Sequence, residues 1–168
     1  MEPFVLALIA HGLIGGADVL VNHELIARIP AQRNSGPEEY LHSARELIFA
    51  ALFFALAWYA WHGAAVWFIA ALLLAELVVS MVDMVLEIDT RVLPVTERIA
   101  HVLLFVNFGI VVTLLGQALL AWSRMPTGIM PLSHGVASWV LSALAALALG
   151  WSIRDGVNAM QRKVAARA

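Results

Sequence analysis

The chain has 168 residues, of which 62% are hydrophobic and 13% charged, and its formal net charge is −2. Because a soluble domain is typically about 45–50% apolar and about 25% charged, this composition predicts an integral membrane protein, and the charge gives no indication of a nucleic-acid partner. The absence of cysteine excludes disulfides, iron–sulfur clusters and thiolate metal sites. His, Asp and Glu remain as candidate metal ligands, and they suit iron, manganese or zinc.

Five apolar runs are each long enough to cross a bilayer, which takes about 20 helical residues. We therefore expect one all-α membrane domain over residues 1–153, with spans at about 3–29, 39–61, 64–88, 95–122 and 134–153. Four of these helices are expected to form an antiparallel bundle around a polar site. Residues 154–168 are predicted to form a basic cytoplasmic tail.

The basic residues predict an orientation for these spans. Nine of the ten Lys and Arg residues fall in or beside the first connection, the third connection and the C-terminal tail. Cytoplasmic segments are enriched in such residues, so we expect the N-terminus outside and the C-terminus in the cytoplasm, most simply in a bacterial inner membrane. Residues 135–151 of the fifth span contain no ionisable side chain, and this helix is expected to support the bundle or to mediate a homo-oligomer contact.

Acids and histidines gather near the predicted cytoplasmic ends of the first four spans. At 1.5 Å per residue, they fall within one layer that lies roughly 5–15 Å from the cytoplasmic boundary of the membrane. Within each helix, most of them share one face. A charge that faces lipid costs several kcal/mol, so these faces should point inward and carry function. The predicted metal ligands are Asp18, His23, Glu39, His42, Glu46, Asp83, Glu87, Glu97 and His101.

Other polar residues in these spans are expected to orient the ligands or to form a proton relay: His11, Asn22, Arg45, Glu76, Arg91 and Arg98. On the first helix, the pattern leaves open whether Asp18, His23 or Glu24 is the ligand. Glu38 is interpreted only as an acid that stabilises the start of the second helix through the helix dipole.

The two predicted cytoplasmic hairpins echo each other. Each has an acid on its first helix, then an arginine, a proline-containing loop and a Glu-plus-His pair. This order suggests a site with pseudo-two-fold symmetry.

The arrangement resembles the ferritin-like di-iron carboxylate bundles, in which two helices supply a Glu and two supply Glu-x-x-His. Residues 39–42 match Glu-x-x-His, whereas the pair Glu97 and His101 is one residue longer. The lone carboxylates would come from Asp18 and from Asp83 or Glu87. The resemblance implies two divalent metal ions bridged by carboxylates, with iron favoured and zinc or manganese as alternatives.

The sequence thus favours a membrane metalloprotein. With iron or manganese, it would be an oxidoreductase acting on a lipid-like or quinone substrate, whereas zinc would activate water against a lipid ester or amide. An alternative is a b-type cytochrome that holds haem between His42 and His101. Further alternatives are a proton or metal-ion transporter with Asp18, Glu46, Glu76 and Asp83 as its relay, and an accessory membrane subunit.

Overall fold

The computed structural model of the chain describes residues 2–29 and 35–165. Within these ranges there are five long helices and two short strands. The helices are α1 (Pro3–Asp18, continued by a π-helical segment Val19–Ile26), α2 (Gly36–Trp58), α3 (Val66–Thr90), α4 (Val95–Trp122) and α5 (Val136–Ala165). The strands are β1 (Tyr59–His62) and β2 (Gly128–Pro131), and a short 3₁₀ turn (Gly63–Ala65) precedes α3.

The prediction of an all-α chain with five long apolar helices is confirmed. Five helical stretches in the described ranges are long and apolar enough to cross a membrane: Pro3–Ile26, Gly36–Trp58, Gly63–Thr90, Val95–Trp122 and Val136–Val164. The fifth helix is longer than the predicted span, which ends at residue 153. It continues through Ala165, over residues predicted to form a tail. The part of the first connection that includes Arg33, and the last residues of the tail, lie outside the described ranges.

The helices pack so that an apolar core and a polar layer occupy opposite ends of α1–α4. The core is formed by large buried side chains from every helix, among them Phe4, Leu8, Leu52, Leu56, Ile69, Leu115 and Leu141. Helix α2 packs against α3 and α5, and α1 packs against α4. Between α2 and α5, the Ser43 hydroxyl donates to the carbonyl of Ser152 and the Ser152 hydroxyl donates to the carbonyl of Ser43, both at 2.8 Å. Small residues of this kind allow helices in membranes to approach closely.

A two-stranded antiparallel sheet joins two connections at the end of the molecule remote from the polar layer. Its register pairs Tyr59 with Pro131 and His62 with Gly128. Gly63 follows β1 with a φ of +57°, and a Cβ there would lie 2.6 Å from the Thr127 Cα. The sequence pattern does not predict this sheet, which joins the α2–α3 connection to the α4–α5 connection.

The π-helical segment after α1 changes which residues share a face. Its wider turn is marked by the hydrogen bond that the Ala27 N–H donates to the Asn22 carbonyl at 2.7 Å, five residues back. In an α-helix, side chains five positions apart point about 140° away from each other. The π-helical turn reduces this angle, so that Asp18 and His23 both face the polar layer and both are buried. Such π-helical turns occur frequently at functional sites.

Candidate metal site

Eight ionisable side chains from α1–α4 meet in one buried group, termed here the polar cluster: Asp18, His23, Glu38, His42, Asp83, Glu87, Glu97 and His101. Each of them is at most 5% exposed. Seven belong to the predicted ligand set, and Glu38 is the addition. Burying eight titratable groups is costly unless they are paired or bind metal, so the way these groups pair decides what the cluster can do.

Glu87 lies between two histidines and offers one carboxylate oxygen to each. Its Oε1 is 3.4 Å from Nε2 of His42, and its Oε2 is 3.6 Å from Nδ1 of His101. The same histidines approach two further carboxylates: His42 Nε2 lies 3.5 Å from Oδ2 of Asp83, and His101 Nε2 lies 3.5 Å from Oδ2 of Asp18. Glu87 is therefore placed as a carboxylate between two imidazoles.

These close approaches are ion-pair contacts that lack the alignment of good hydrogen bonds. Nε2 of His23, Nε2 of His42 and both ring nitrogens of His101 are buried and have no hydrogen-bond partner among the described residues. His23 Nε2 is nevertheless 3.2 Å from Oε1 of Glu97. Two ligand atoms that each lie about 2.0–2.2 Å from one ion stand roughly 3.0–3.6 Å apart. The separations thus match those of ligands that share a metal ion.

Two sets of ligand atoms within the cluster are compact enough to hold a metal ion. One comprises His23, Glu87, Glu97 and His101, and the other comprises Glu38, His42 and Glu87; within each set the ligand atoms lie within 4.8 Å of one another. Glu87 belongs to both sets. This is the arrangement that two ions bridged by one carboxylate would require.

Comparison with known proteins gives no relative for this chain. No protein-family model, curated protein or solved structure matches it. The ferritin-like resemblance therefore stays a prediction, and the function proposed below is inferred from the geometry of the polar cluster.

Two arginines, Arg91 and Arg45, border the cluster. Arg91 donates to Oε1 of Glu38 at 2.7 Å and to Oε2 of Glu97 at 2.8 Å, and it lies 3.3 Å from Oε1 of Glu87. Burial acts to lower the pKa of the Arg91 guanidinium, but the hydrogen bonds to Glu97 and Glu38 outweigh it and raise that pKa well above its usual range. Arg91 therefore stays charged and offsets part of the negative charge of the cluster.

Arg45 likewise offsets negative charge through its contacts with other carboxylates. It donates to Oδ2 of Asp83 at 2.8 Å and to Oε1 of Glu76 at 3.4 Å. Ser80 also donates to Oε1 of Glu76, at 2.6 Å. Polar groups thus continue from the cluster along α3. A cavity of about 20 Å³ is lined by Arg45, Glu76, Ser80, Asp83, Glu87 and His101 and also by His11, which is room for one water molecule.

Further contacts orient the first-helix residues. The Asn22 amide donates to Oδ1 of Asp18 at 2.6 Å, and its carbonyl oxygen accepts from the Thr96 hydroxyl at 2.6 Å. The rings of His23 and His42 stack with centroids 4.5 Å apart. Both Asp18 and His23 therefore belong to the cluster, whereas Glu24 turns away and pairs with Arg154 at 2.6 Å.

Several residues predicted for the site lie apart from the cluster. Glu39 points to α5, where Oε2 lies 2.9 Å from Nε of Arg162, because one step along a helix turns the side chain by about 100°. Glu46 is half-buried and lies in neither candidate metal set, although it lines a second cavity together with Asp18, His23 and His42. His11 stacks on Phe49 with ring centroids 4.4 Å apart, and Arg98 is exposed.

Glu38 is the site residue that the sequence analysis missed. Its position in the sequence predicts only a helix-start acid, but its carboxylate is buried and takes part in a candidate metal set with His42. Glu38 and His42 are four residues apart, as are Glu97 and His101. This Glu-x-x-x-His spacing, which both hairpins share, is the sequence signal that indicates Glu38. The Glu-x-x-His match at residues 39–42 indicates Glu39 instead.

Proposed function

We propose that the protein is an integral membrane metalloprotein with two divalent ions in the polar cluster. The observation that carries the proposal is the position of Glu87, whose two oxygens face His42 and His101 at 3.4 and 3.6 Å. The nitrogens that they face have no hydrogen-bond partner within the described residues. A buried polar atom without a partner costs about 1–3 kcal/mol, and bound metal ions would remove this cost for several atoms at once.

The membrane setting is supported by the outward faces of the helices. Large apolar side chains are exposed along α3, α4 and α5, including Trp67, Leu74, Val102, Val106, Trp139 and Leu147. Soluble monomers rarely expose so continuous an apolar surface, whereas lipid would cover it. The distribution of basic residues favours a cytoplasmic position for the end of α1–α4 that carries the cluster, in a bacterial inner membrane.

The ligand types favour iron or manganese and hence oxidoreduction of a lipid-like or quinone substrate. Carboxylates and imidazoles suit these metals, and a bridging carboxylate is the shared feature of di-iron helical bundles. The cavity of about 20 Å³ beside Asp83, Glu87 and His101 leaves space for a water-sized ligand. Zinc, with hydrolysis of a lipid ester or amide, is the second choice for the same ligands.

Haem is disfavoured by the same geometry. The cytochrome hypothesis requires open space between His42 and His101 for the porphyrin, and the carboxylate of Glu87 lies there. An ionic cluster without metal is the other alternative, because Arg45 and Arg91 neutralise some of the acids. It leaves ring nitrogens of three histidines beside carboxylate oxygens at 3.2–3.6 Å with no aligned hydrogen bond among the described residues.

Metal analysis tests the proposal. Protein purified without chelator should contain about two transition-metal ions per chain, with iron in excess of zinc and manganese. Glu87→Gln keeps the size of the side chain but provides a poorer bridge, and it should lose most of the metal. Glu39→Gln is the matched control, since Glu39 contacts Arg162 instead of the cluster. Less than about half an equivalent of metal in the wild type, or equal metal in both variants, would refute the site.

Transport of protons or metal ions is a second candidate function. The observation that favours it is the polar line from Asp83 through Arg45 to Glu76 and Ser80, which the metal site does not require. Ionisable residues in membrane helices commonly form such relays. Flux of protons or metal ions into proteoliposomes tests this function, and Glu76→Gln should reduce the flux relative to the wild type. Flux that is equal in proteoliposomes and in protein-free vesicles would reject it.

A further inference from the structure

A second cavity, of about 240 Å³, lies between α1, α2 and α5 beside the polar cluster. It is far larger than the roughly 10–15 Å³ that one water molecule needs. Most of its lining is apolar, with Phe49, Phe53, Leu104, Leu144 and Trp151 among the large side chains. Ligand sites are typically concave and apolar with a few polar groups, so the position of these groups and of the opening indicates what would bind.

Glycines of α1 leave this cavity open. A Cβ placed on Gly16 would have no heavy atom of the described residues within 4 Å, and one on Gly15 would have only Leu104, at 3.8 Å. Gly12, one turn earlier, is tightly packed instead, since a Cβ there would lie 2.8 Å from Leu144. The glycines therefore differ in role: Gly12 allows close helix packing, whereas Gly15 and Gly16 border free space.

The cavity opens sideways from the helices. Gly16 is exposed, and two other lining residues, Leu20 on α1 and Leu147 on α5, are 50% and 56% exposed. All three lie within the apolar stretches that are long enough to span a membrane. An opening with apolar rims at this position faces hydrocarbon, so a ligand would enter from the bilayer.

The inner end of the cavity is polar and belongs partly to the cluster. Asp18, His23 and His42 line it, and the buried Nε2 atoms of both histidines have no hydrogen-bond partner within the described ranges. Arg45 and Glu46 also line it. The buried Oε2 of Glu46 has no hydrogen-bond partner within the described ranges. A carboxylate at this position disfavours an anionic head group, and it can accept from a hydroxyl, whereas the Arg45 guanidinium can donate to a carbonyl. Neither contact uses the histidine nitrogens that the proposed metal ions would occupy.

We propose that this cavity binds a lipid-like molecule with an uncharged head group that carries a hydroxyl or carbonyl oxygen. The molecule enters between α1 and α5 and places its head beside Arg45 and Glu46, next to the proposed metal ligands His23 and His42, while its apolar chain extends past Gly16 into the bilayer. Quinones, quinols and long-chain alcohols share this chemistry. This proposal rests on the proposed function, because the head group would lie beside the metal site. It adds the class of substrate and the path by which the substrate enters.

Direct binding in detergent tests the cavity independently of catalysis. The probes are a short-chain quinone, a long-chain alcohol and, as the anionic comparison, a phosphatidic acid of equal chain length. Wild-type protein should bind at least one of the uncharged probes and bind the anionic lipid at least tenfold more weakly. In Gly16→Leu the new side chain occupies the opening, and the affinity for the uncharged probe should fall at least tenfold.

The matched control is Gly109→Leu. Gly109 is exposed on α4, its added Cβ also meets no described heavy atom within 4 Å, and it does not line the cavity. It should bind the probe as the wild type does. Leu147→Trp, which narrows the opening from α5, provides a second blocking variant if Gly16→Leu does not fold, and thermal unfolding identifies that case.

Metal content measured on the same samples separates the two proposals. Equal metal in all variants with probe binding lost only in the blocking variants supports both. Wild-type protein that contains metal but binds no uncharged probe, or blocking variants that bind as tightly as wild type, overturns the cavity assignment alone. If the purified protein contains no metal but still binds the probe, and Gly16→Leu abolishes that binding, the metal site alone is overturned.

Discussion

Nε2 of His101 lies 3.5 Å from Oδ2 of Asp18, so a histidine of the second hairpin faces an acid of the first. The reverse relationship has the same length: Nε2 of His42, in the first hairpin, lies 3.5 Å from Oδ2 of Asp83 in the second. Neither hairpin can form the site alone. The order of residues along the two hairpins predicts this symmetry, and the structure adds Glu87 as the carboxylate between the two histidines.

His101→Ala should remove one metal ion and leave the other. His101 belongs to the set with His23, Glu87 and Glu97, and it is absent from the set with Glu38 and His42. Metal content should therefore fall from about two ions per chain to about one, and His42→Ala should have the same effect on the other ion. His62→Ala, in β1 outside the cluster, is the control. Loss of both ions in each single variant would contradict two separable positions.

Glu38→Gln and Glu39→Gln should differ, although the residues are adjacent. Glu38 lies in a metal set with His42, and Glu39 pairs with Arg162. Metal affinity, measured by competition with a chelator of known affinity, should fall at least tenfold in Glu38→Gln and stay within about twofold of wild type in Glu39→Gln. The opposite result would support the Glu-x-x-His pattern of residues 39–42 over the geometry described above.

Asn22→Ala should weaken metal binding without removing a ligand. The Asn22 side chain holds Asp18 through a 2.6 Å hydrogen bond and is itself held by Thr96. Losing a group that orients a ligand typically lowers metal affinity by about 10–100-fold. Chelator competition measures the change, and Asn158→Ala on α5 controls for loss of an amide elsewhere. Unchanged affinity would mean that the backbone alone positions Asp18.

Gly63→Ala should destabilise the fold and leave metal content unchanged. The residue has a φ of +57°, and its added Cβ would lie 2.6–2.7 Å from Thr127 backbone atoms. The left-handed conformation alone costs about 1–2 kcal/mol for a residue other than glycine, and the close contact adds to it. Thermal unfolding should show a midpoint several degrees lower. Gly128→Ala, where the added Cβ has no described neighbour within 4 Å, should unfold close to wild type.

Hydropathy and charge spacing along the chain were sufficient to predict five apolar helices and the inward placement of most cluster residues. The physical reason is the cost of a charge in hydrocarbon, which is set by residue type and depth and needs no knowledge of partners. Asp83 and Glu87 show this clearly: they are one turn apart near the end of an apolar helix, and both are buried.

Only the tertiary structure decided which of several neighbouring residues reaches the cluster. Glu38 and Glu39 differ by about 100° around α2, and the packing of α2 against α5 turns Glu39 to Arg162. His23 faces the same layer as Asp18 because the helix widens into a π-helical turn, marked by the Ala27–Asn22 hydrogen bond. Local periodicity assumes a regular helix and leaves its rotation free. The rotation of each helix, the π-helical turn and the pairing of β1 with β2 depend on contacts between segments far apart in the chain.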